Sequence, residues 1–255
     1  MPRATRISPD INQRNEMAGK PSDRNRNVVR NASTRPKKPY WIFIVIAVVG
    51  ASILAYAMTR KPVVSEAAPV APPDPATSGP PQPYVTGKAD APVKIEEFAD
   101  FECPACGRFA TITEPDVQKR IIDTGLASLS YYDFPLPQHR NSQAASTAAA
   151  CADEQGKFWP MHDQLFAGQD QWSTEATDNP KPAFVSYAAT IGLDPAKFEA
   201  CFDAKKYQKR IDANLAEGLR RHVNSTPTFI IGGKTYATAM SYDELKAIVD
   251  SAAKK

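Results

Sequence analysis

The sequence predicts an α/β domain, and three observations carry that expectation. A short apolar strand pattern, Val93 to Phe98, runs straight into Cys103-Pro104-Ala105-Cys106 at the start of a helical pattern. Far down the chain, Ser225-Thr226-Pro227-Thr228-Phe229-Ile230-Ile231-Gly232-Gly233 sets a proline at the head of an apolar strand and a Gly-Gly turn at its end. Between the two lie one more strand pattern and a run of helical ones, and a last helical pattern closes the chain.

Taken in order, Val93 to Ala99 reads as a central strand. The helix that starts at Cys103 runs to about Thr113, is kinked or restarted by Pro115, and continues to Ile122 before Gly125 caps it. Ala127 to Phe134 alternates as a second strand. Asn141 to Ala152 and Lys157 to Phe166 are helical, and Gly168 to Asn179 is a polar loop. Pro182 to Ile191, Pro195 to Phe202 and Tyr207 to Val223 are three further helices. Thr228 to Ile231 and Lys234 to Tyr236 make a hairpin around Gly232-Gly233. Ser241 caps a final helix, Tyr242 to Ala253, with Glu244 three residues on as a capping box. The 167 residues from Ala89 onward suffice for one core.

The segment before that domain is of another kind. The net charge of +3 over 255 residues hides an asymmetry: residues 1–38 carry ten Lys/Arg against three Asp/Glu, the remainder 21 against 25. Residues 1–38 have few large apolar side chains and read as a disordered basic tail. A nucleic-acid-binding arm is the competing reading, and membrane topology explains the charge more simply. Residues 39–59 hold no charge and are long enough to span a bilayer, with Tyr40 and Trp41 at one interface. The excess of basic residues ahead of them orients the N-terminus inward. A cleaved leader competes, because Ala55-Tyr56-Ala57 has a small-x-small form. The apolar run is longer than a leader's core, so an uncleaved anchor is expected. Residues 60–88 form a linker, with eight prolines from Pro62 to Pro83.

The chemistry centres on the two thiols. A helix N-terminus favours a thiolate at Cys103, because unpaired N–H groups and the macrodipole stabilise negative charge there. Pro104 fits the first helical position. Cys106 lies one turn in and suits a resolving thiol. A Cys-x-x-Cys alone also fits half a zinc site or a structural bridge. Zinc would need two more ligands, and Cys151 and Cys201, fifty residues apart, make a poor second half.

Cys103-Pro104-Ala105-Cys106 together with Thr226-Pro227-Thr228-Phe229 resembles the DsbA-like thiol:disulfide oxidoreductases of the thioredoxin superfamily, in a branch with a membrane anchor and an extra cysteine pair. The resemblance extends from about Gly87 to the C-terminus and includes Phe134-Pro135-Leu136 to Phe166. It implies a thioredoxin fold in residues 89–255 with a helical insertion at about 139–222. It implies catalysis by Cys103 and Cys106, a cis peptide at Pro227, and extended substrate held along Thr226 and Pro227. Glu97 matches an acidic residue of the family that relays a proton to the buried thiol. Glu96 beside it faces the other way in a strand, so one of the two points inward.

Outside the cytoplasm, Cys151 and Cys201 would pair as a structural disulfide, as branch members often do; two buried free thiols are the alternative. The strongest oxidants of the family carry a His where Ala105 stands, so the helix terminus alone would hold the thiolate. His139, His162 and His222 are read as scattered surface or helix residues, and Phe158, Trp159 and Met161 as core.

The expected function is the introduction of disulfides into secreted or envelope proteins. The partners are reduced substrate proteins and a quinone-linked membrane reoxidase of DsbB or vitamin K epoxide reductase type. The expectation includes no cofactor, no metal and no nucleic acid, and a monomer. The expected place is a bacterial cytoplasmic membrane, crossed once, with the catalytic domain on the periplasmic or other extracytoplasmic side. An extracytoplasmic reductase or isomerase and a tethered non-catalytic binding module are the alternatives.

Overall fold

A computed structural model describes residues 40–59, 73 and 78–254. The basic segment 1–38 and most of the linker lie outside the described residues. Two units are distinguished, Met1–Val64 and Ser65–Lys255. In the first, Tyr40–Thr59 forms helix α1, twenty residues without a charged side chain. At 1.5 Å per residue that is about 30 Å of helix. Its side chains are described at residues 40–52 and at Tyr56, with Trp41, Phe43, Ile44 and Ile46 exposed. Among the residues whose side chains are described, which in α1 are 40–52 and 56, no helix is long and apolar enough to cross a membrane.

The second unit is built on a five-stranded sheet in the order β1-β3-β2-β4-β5. The strands are β1 Tyr84–Thr86, β2 Val93–Ala99, β3 Ala127–Asp133, β4 Thr228–Ile231 and β5 Lys234–Tyr236. β2 runs parallel to β3 and antiparallel to β4, so it is hydrogen-bonded on both sides. Its burial follows from that place: Val93, Ile95, Phe98 and Ala99 are enclosed, and Lys94 alone is exposed.

Strand β1 corrects the linker boundary, since residues 84–86 belong to the sheet as its antiparallel edge. Three residues are too few to display a period of two. What fixes them is tertiary: Tyr84 is buried, its ring stacked on Phe158 at 3.6 Å with the Arg210 guanidinium 3.7 Å over it.

The helix after Cys103 is continuous but unevenly wound. Pro104–Arg108 (α2) and Glu114–Val117 (α3) are α-helical, while Phe109–Thr113 and Gln118–Ile122 widen into π turns. Pro115 therefore starts a turn, where its missing N–H is least costly, and does not break the helix. Phe109, Val117, Ile121 and Ile122 cover one face of the sheet together with Leu245 and Val249 of the last helix, α10, Tyr242–Ala252. Ser241 caps α10 with the reciprocal Ser241–Glu244 capping box.

Between β3 and β4 lie six helices: α4 Ser142–Asp153, α5 Phe158–Ala167, α6 Gln169–Trp172, α7 Lys181–Thr190, α8 Pro195–Asp203 and α9 Gln208–Arg220. The short α6 corrects the expectation of a loop from Gly168 to Asn179. Trp172 is fully buried there, and its indole N–H donates to the Leu165 carbonyl at 2.8 Å. The run Ala148-Ala149-Ala150 is fully buried, its small side chains leaving room for the helices around α4. The Cys151–Cys201 disulfide ties α4 to α8.

Candidate active site

Strand β2 delivers the segment Asp100–Cys103 to the C-terminal edge of the sheet. Cys103 stands at the N-cap of α2 with extended backbone, φ −70° and ψ 121°, and Pro104 opens the helix. Both thiols are free; Cys103 is 7% exposed and Cys106 is wholly enclosed. A thiol-reactive chain thus meets Cys103 first, and Cys106 can react only through Cys103.

The electrostatics separate the two sulfurs further. Cys103 is lowered to about 5, first by a hydrogen bond from the Cys106 thiol, against the opposing effect of burial. The Thr226 side chain and the backbone N–H groups of Cys106 and Ala105 add to the lowering. Cys106 is pushed well up, by burial, by that same hydrogen bond and by the negative charge of Cys103. With Ala105 in the dipeptide, the donors to a Cys103 thiolate are the neighbouring thiol, a hydroxyl and the backbone.

Thr226 and Pro227 come to the same place from the other end of the chain. The Thr226–Pro227 bond is cis, and the Cys103 Sγ lies 3.4 Å from the Thr226 carbonyl oxygen. The Thr226 hydroxyl is buried without a hydrogen-bond partner among the described residues, which leaves its proton available to the sulfur.

Of the two adjacent glutamates on β2, Glu97 points inward. It is 2% exposed, and burial raises its carboxyl to about 8. The charge of Glu97 contributes to the raised Cys106. Glu96 turns outward to a two-pronged ion pair with Arg221, at 2.6 and 2.9 Å.

Sequence reasoning missed a second set of residues that holds this segment in place. Asp100 accepts from the Glu102 N–H at 2.8 Å, from the Ser142 hydroxyl at 2.5 Å and from the Leu136 N–H at 2.8 Å, and meets His139 Nδ1 at 2.7 Å. Glu102 accepts from the backbone N–H groups of Asn141 and Thr174. Gln169 of α6 donates to the carbonyls of Phe101 and Cys103 at 2.6 and 3.1 Å. The helical insertion thereby grips the residues just ahead of Cys103. The available signal was Asp100-x-Glu102, two acidic residues where a strand end should be apolar.

Two of the histidines are more enclosed than a surface reading would have them, and His162 is on a helix, α5, as expected. His139 is held by Asp100, whose hydrogen bond raises its pKa. His162 is 1% exposed, enclosed by Phe101, Tyr131, Phe158, Trp159 and Phe166. Cys151 and Cys201 are bonded to each other and so cannot ligate zinc with the Cys103 pair. Among the described residues no group of three or more His, Cys, Asp or Glu is placed to hold a metal ion.

A low-pKa thiol at a helix start, an enclosed second thiol and a cis-proline turn against the first thus stand together at one end of the sheet. The thioredoxin family model matches residues 80–251, and the chain belongs to that family. It is 34% identical over 171 residues to Na(+)/H(+) antiporter NhaA 3 of Salinispora tropica, which covers 66% of this chain and 24% of that protein. The chain thus spans about a quarter of the length of that relative. It is 26% identical over 170 residues to Disulfide bond formation protein D of Bacillus subtilis, covering 66% of this chain and 75% of the other. Among solved structures, oxidised BdbD from Bacillus subtilis superimposes with a TM-score of 0.59 at 24% identity, over 69% of this chain and 98% of the other. That likeness establishes the fold. The resemblance read from the Cys103 and Pro227 motifs is borne out by the family match and by these relatives.

Proposed function

We propose that the protein catalyses disulfide formation in extracytoplasmic proteins by dithiol–disulfide exchange at Cys103 and Cys106. The observation that carries the reading is the opposed pair of thiols, one lowered to about 5 and 7% exposed, the other wholly enclosed and pushed up. In the oxidised enzyme a substrate thiolate attacks the Cys103 Sγ. The Cys103–Cys106 bond breaks, and Cys106 leaves with the electron pair and takes a proton. A second substrate thiolate then attacks the substrate sulfur of the mixed disulfide. Cys103 departs as a thiolate, and the substrate has lost two electrons to the enzyme. A low pKa at Cys103 favours both that departure and the reduced enzyme, which is the property of an oxidant. Glu97, buried and protonated at neutral pH, is the proton donor to Cys106. The cis-proline turn at Thr226 and Pro227 would hold the substrate as an extended strand.

Three features support the setting. The Cys151–Cys201 disulfide persists in oxidising compartments. The uncharged helix α1 and the basic residues ahead of it fit a single-pass anchor in a bacterial cytoplasmic membrane, N-terminus inside. A Pro-rich linker would hold the domain off that membrane, where it meets reduced secreted chains and a quinone-linked reoxidase.

The test is the reduction potential of Cys103–Cys106 in the full chain, equilibrated with glutathione. A value above about −180 mV supports net donation of disulfides, and a value near −270 mV reverses the direction to a reductase. Cys103→Ser abolishes exchange and with it the phenotype; a phenotype kept in that variant would leave only a binding module.

A further inference from the structure

Behind the redox pair lies a group of buried titratable residues that the exchange steps above leave unused. Glu114 of α3 is 8% exposed and His162 of α5 is 1% exposed. Glu114 Oε2 and His162 Nε2 face each other at 3.6 Å, and neither atom has a hydrogen-bond partner among the described residues. The other ring nitrogen, Nδ1, meets the exposed Asp163 carboxylate at 3.0 Å. A carboxylate can only accept, so Nδ1 carries a proton toward Asp163. The opposed His162 Nε2 and Glu114 carboxyl oxygen leave room for one shared proton between them.

This pair is connected to the redox centre by geometry. Tyr131 on β3 lies directly across from Glu97 on β2, and its ring meets the His162 ring at 5.4 Å. Glu97 also leaves one carboxyl oxygen without a partner. On the outer side, Glu114 and Asp163 line a cleft of about 820 Å³ with Trp159 and Gln118. The groups facing Glu114 are Glu97 from β2, and His162 and Asp163 from α5. Those facing Glu97 and Tyr131 include Cys106 and Asp100.

We infer that Glu114 and His162 form a proton reservoir that resupplies Glu97 from the cleft during each exchange cycle. The inference rests on the proposed oxidoreductase reading. When the Cys103–Cys106 bond breaks, the Glu97 O–H proton passes to the Cys106 sulfur. Glu97 recovers a proton from the Glu114–His162 pair, and the pair recovers one from water in the cleft. No electrons move in these steps. Glu114 and His162 touch neither sulfur, so they are positioning residues for the proton. The high carboxyl pKa values, about 8 for both glutamates and caused by burial, keep these protons in place at neutral pH.

The experiment follows the reaction of the oxidised full chain with a cysteine-containing peptide from pH 5 to 9. It compares the parent with Glu114→Gln, Glu114→Asp, His162→Gln and Glu97→Gln. The expected result is a rate loss of about tenfold or more in Glu114→Gln at neutral pH, a displaced pH profile, and partial recovery in Glu114→Asp. A profile in folded Glu114→Gln that superimposes on the parent's overturns the inference. Should the Glu114 and His162 variants fail to fold, the infrared difference spectrum of the parent decides. A protonated-carboxyl band that shifts on reduction and persists in Glu97→Gln supports the reservoir, and the absence of such a band refutes it. A parent that never exchanges with the peptide sinks the oxidoreductase reading instead. A Glu97→Gln effect without a Glu114→Gln effect sinks only the reservoir.

Discussion

Cys103 and Thr226, separated by 123 residues of sequence, meet with sulfur and carbonyl oxygen 3.4 Å apart. The Thr226 hydroxyl is buried beside them and lowers the Cys103 pKa. Replacing that hydroxyl by a methyl in Thr226→Val should raise the Cys103 pKa by about one unit. The reduction potential should fall by about 30 mV, because the reduced form loses that stabilisation. Thiolate absorbance against pH measures the first, and glutathione equilibration the second. An unchanged titration would show that the hydroxyl does not reach the sulfur.

The second cysteine pair has a structural assignment. The Cys151–Cys201 bond closes a 50-residue separation between α4 and α8. Replacing both with Ala should cost roughly 3–4 kcal/mol on the chain-entropy view. Urea unfolding measures that loss. The exchange rate at Cys103 should stay within about twofold of the parent's, since the bond lies in the insertion and touches neither sulfur of the site.

The Asp100–His139 contact makes stability depend on pH. The hydrogen bond to Asp100 raises His139 above its ordinary value. A raised histidine contributes stability that is full below its unfolded pKa of about 6.5 and is lost as pH rises through the higher folded value. His139→Gln should therefore be destabilised by about 1–2 kcal/mol near pH 5.5, with the difference shrinking toward pH 9. Melting temperatures of both proteins across that range provide the check; a constant difference would refute the titration.

Glu102 accepts from two backbone N–H groups, those of Asn141 and Thr174, and is 4% exposed. Glu102→Ala orphans both donors at the foot of the insertion. A loss of about 2–4 kcal/mol is expected. Amide exchange should quicken at residues 141 and 174 before it does in the sheet.

Much of this was legible in the sequence. The strands β2, β3, β4 and β5 and the long helices of the insertion announced themselves by periodicity and by Gly, Pro and Ser punctuation. Cys103, Cys106 and Pro227 are residue types with few other uses in such a pattern. What escaped has a common cause. Strand β1 is held by Tyr84 against Phe158 and Arg210, partners far away in sequence. Trp172, buried, anchors a short helix in what reads as a polar loop. Asp100, Glu102, Glu114 and His162 look like solvated residues in a linear pattern, because sequence spacing does not reveal a burial that is supplied by helices elsewhere. Pro115 signalled a kink or a restart, and an α-helical turn does restart there; the π turns on either side are what periodicity does not reveal.

The edge position of β1 has a mechanical consequence. The chain entering from the N-terminal side is clamped first by Gln82, which shares hydrogen bonds with Asn214 and Arg210, and then by three residues paired to β3. Cys103 and Thr226 hang from β2 and β4, on the far side of β3 from that entry. A pull along the incoming chain would load the short outer ladder and peel it residue by residue. The inner strands would stay loaded only weakly until it had gone. Strand β1 would therefore yield first to tension on the incoming chain, while the sulfurs keep their alignment.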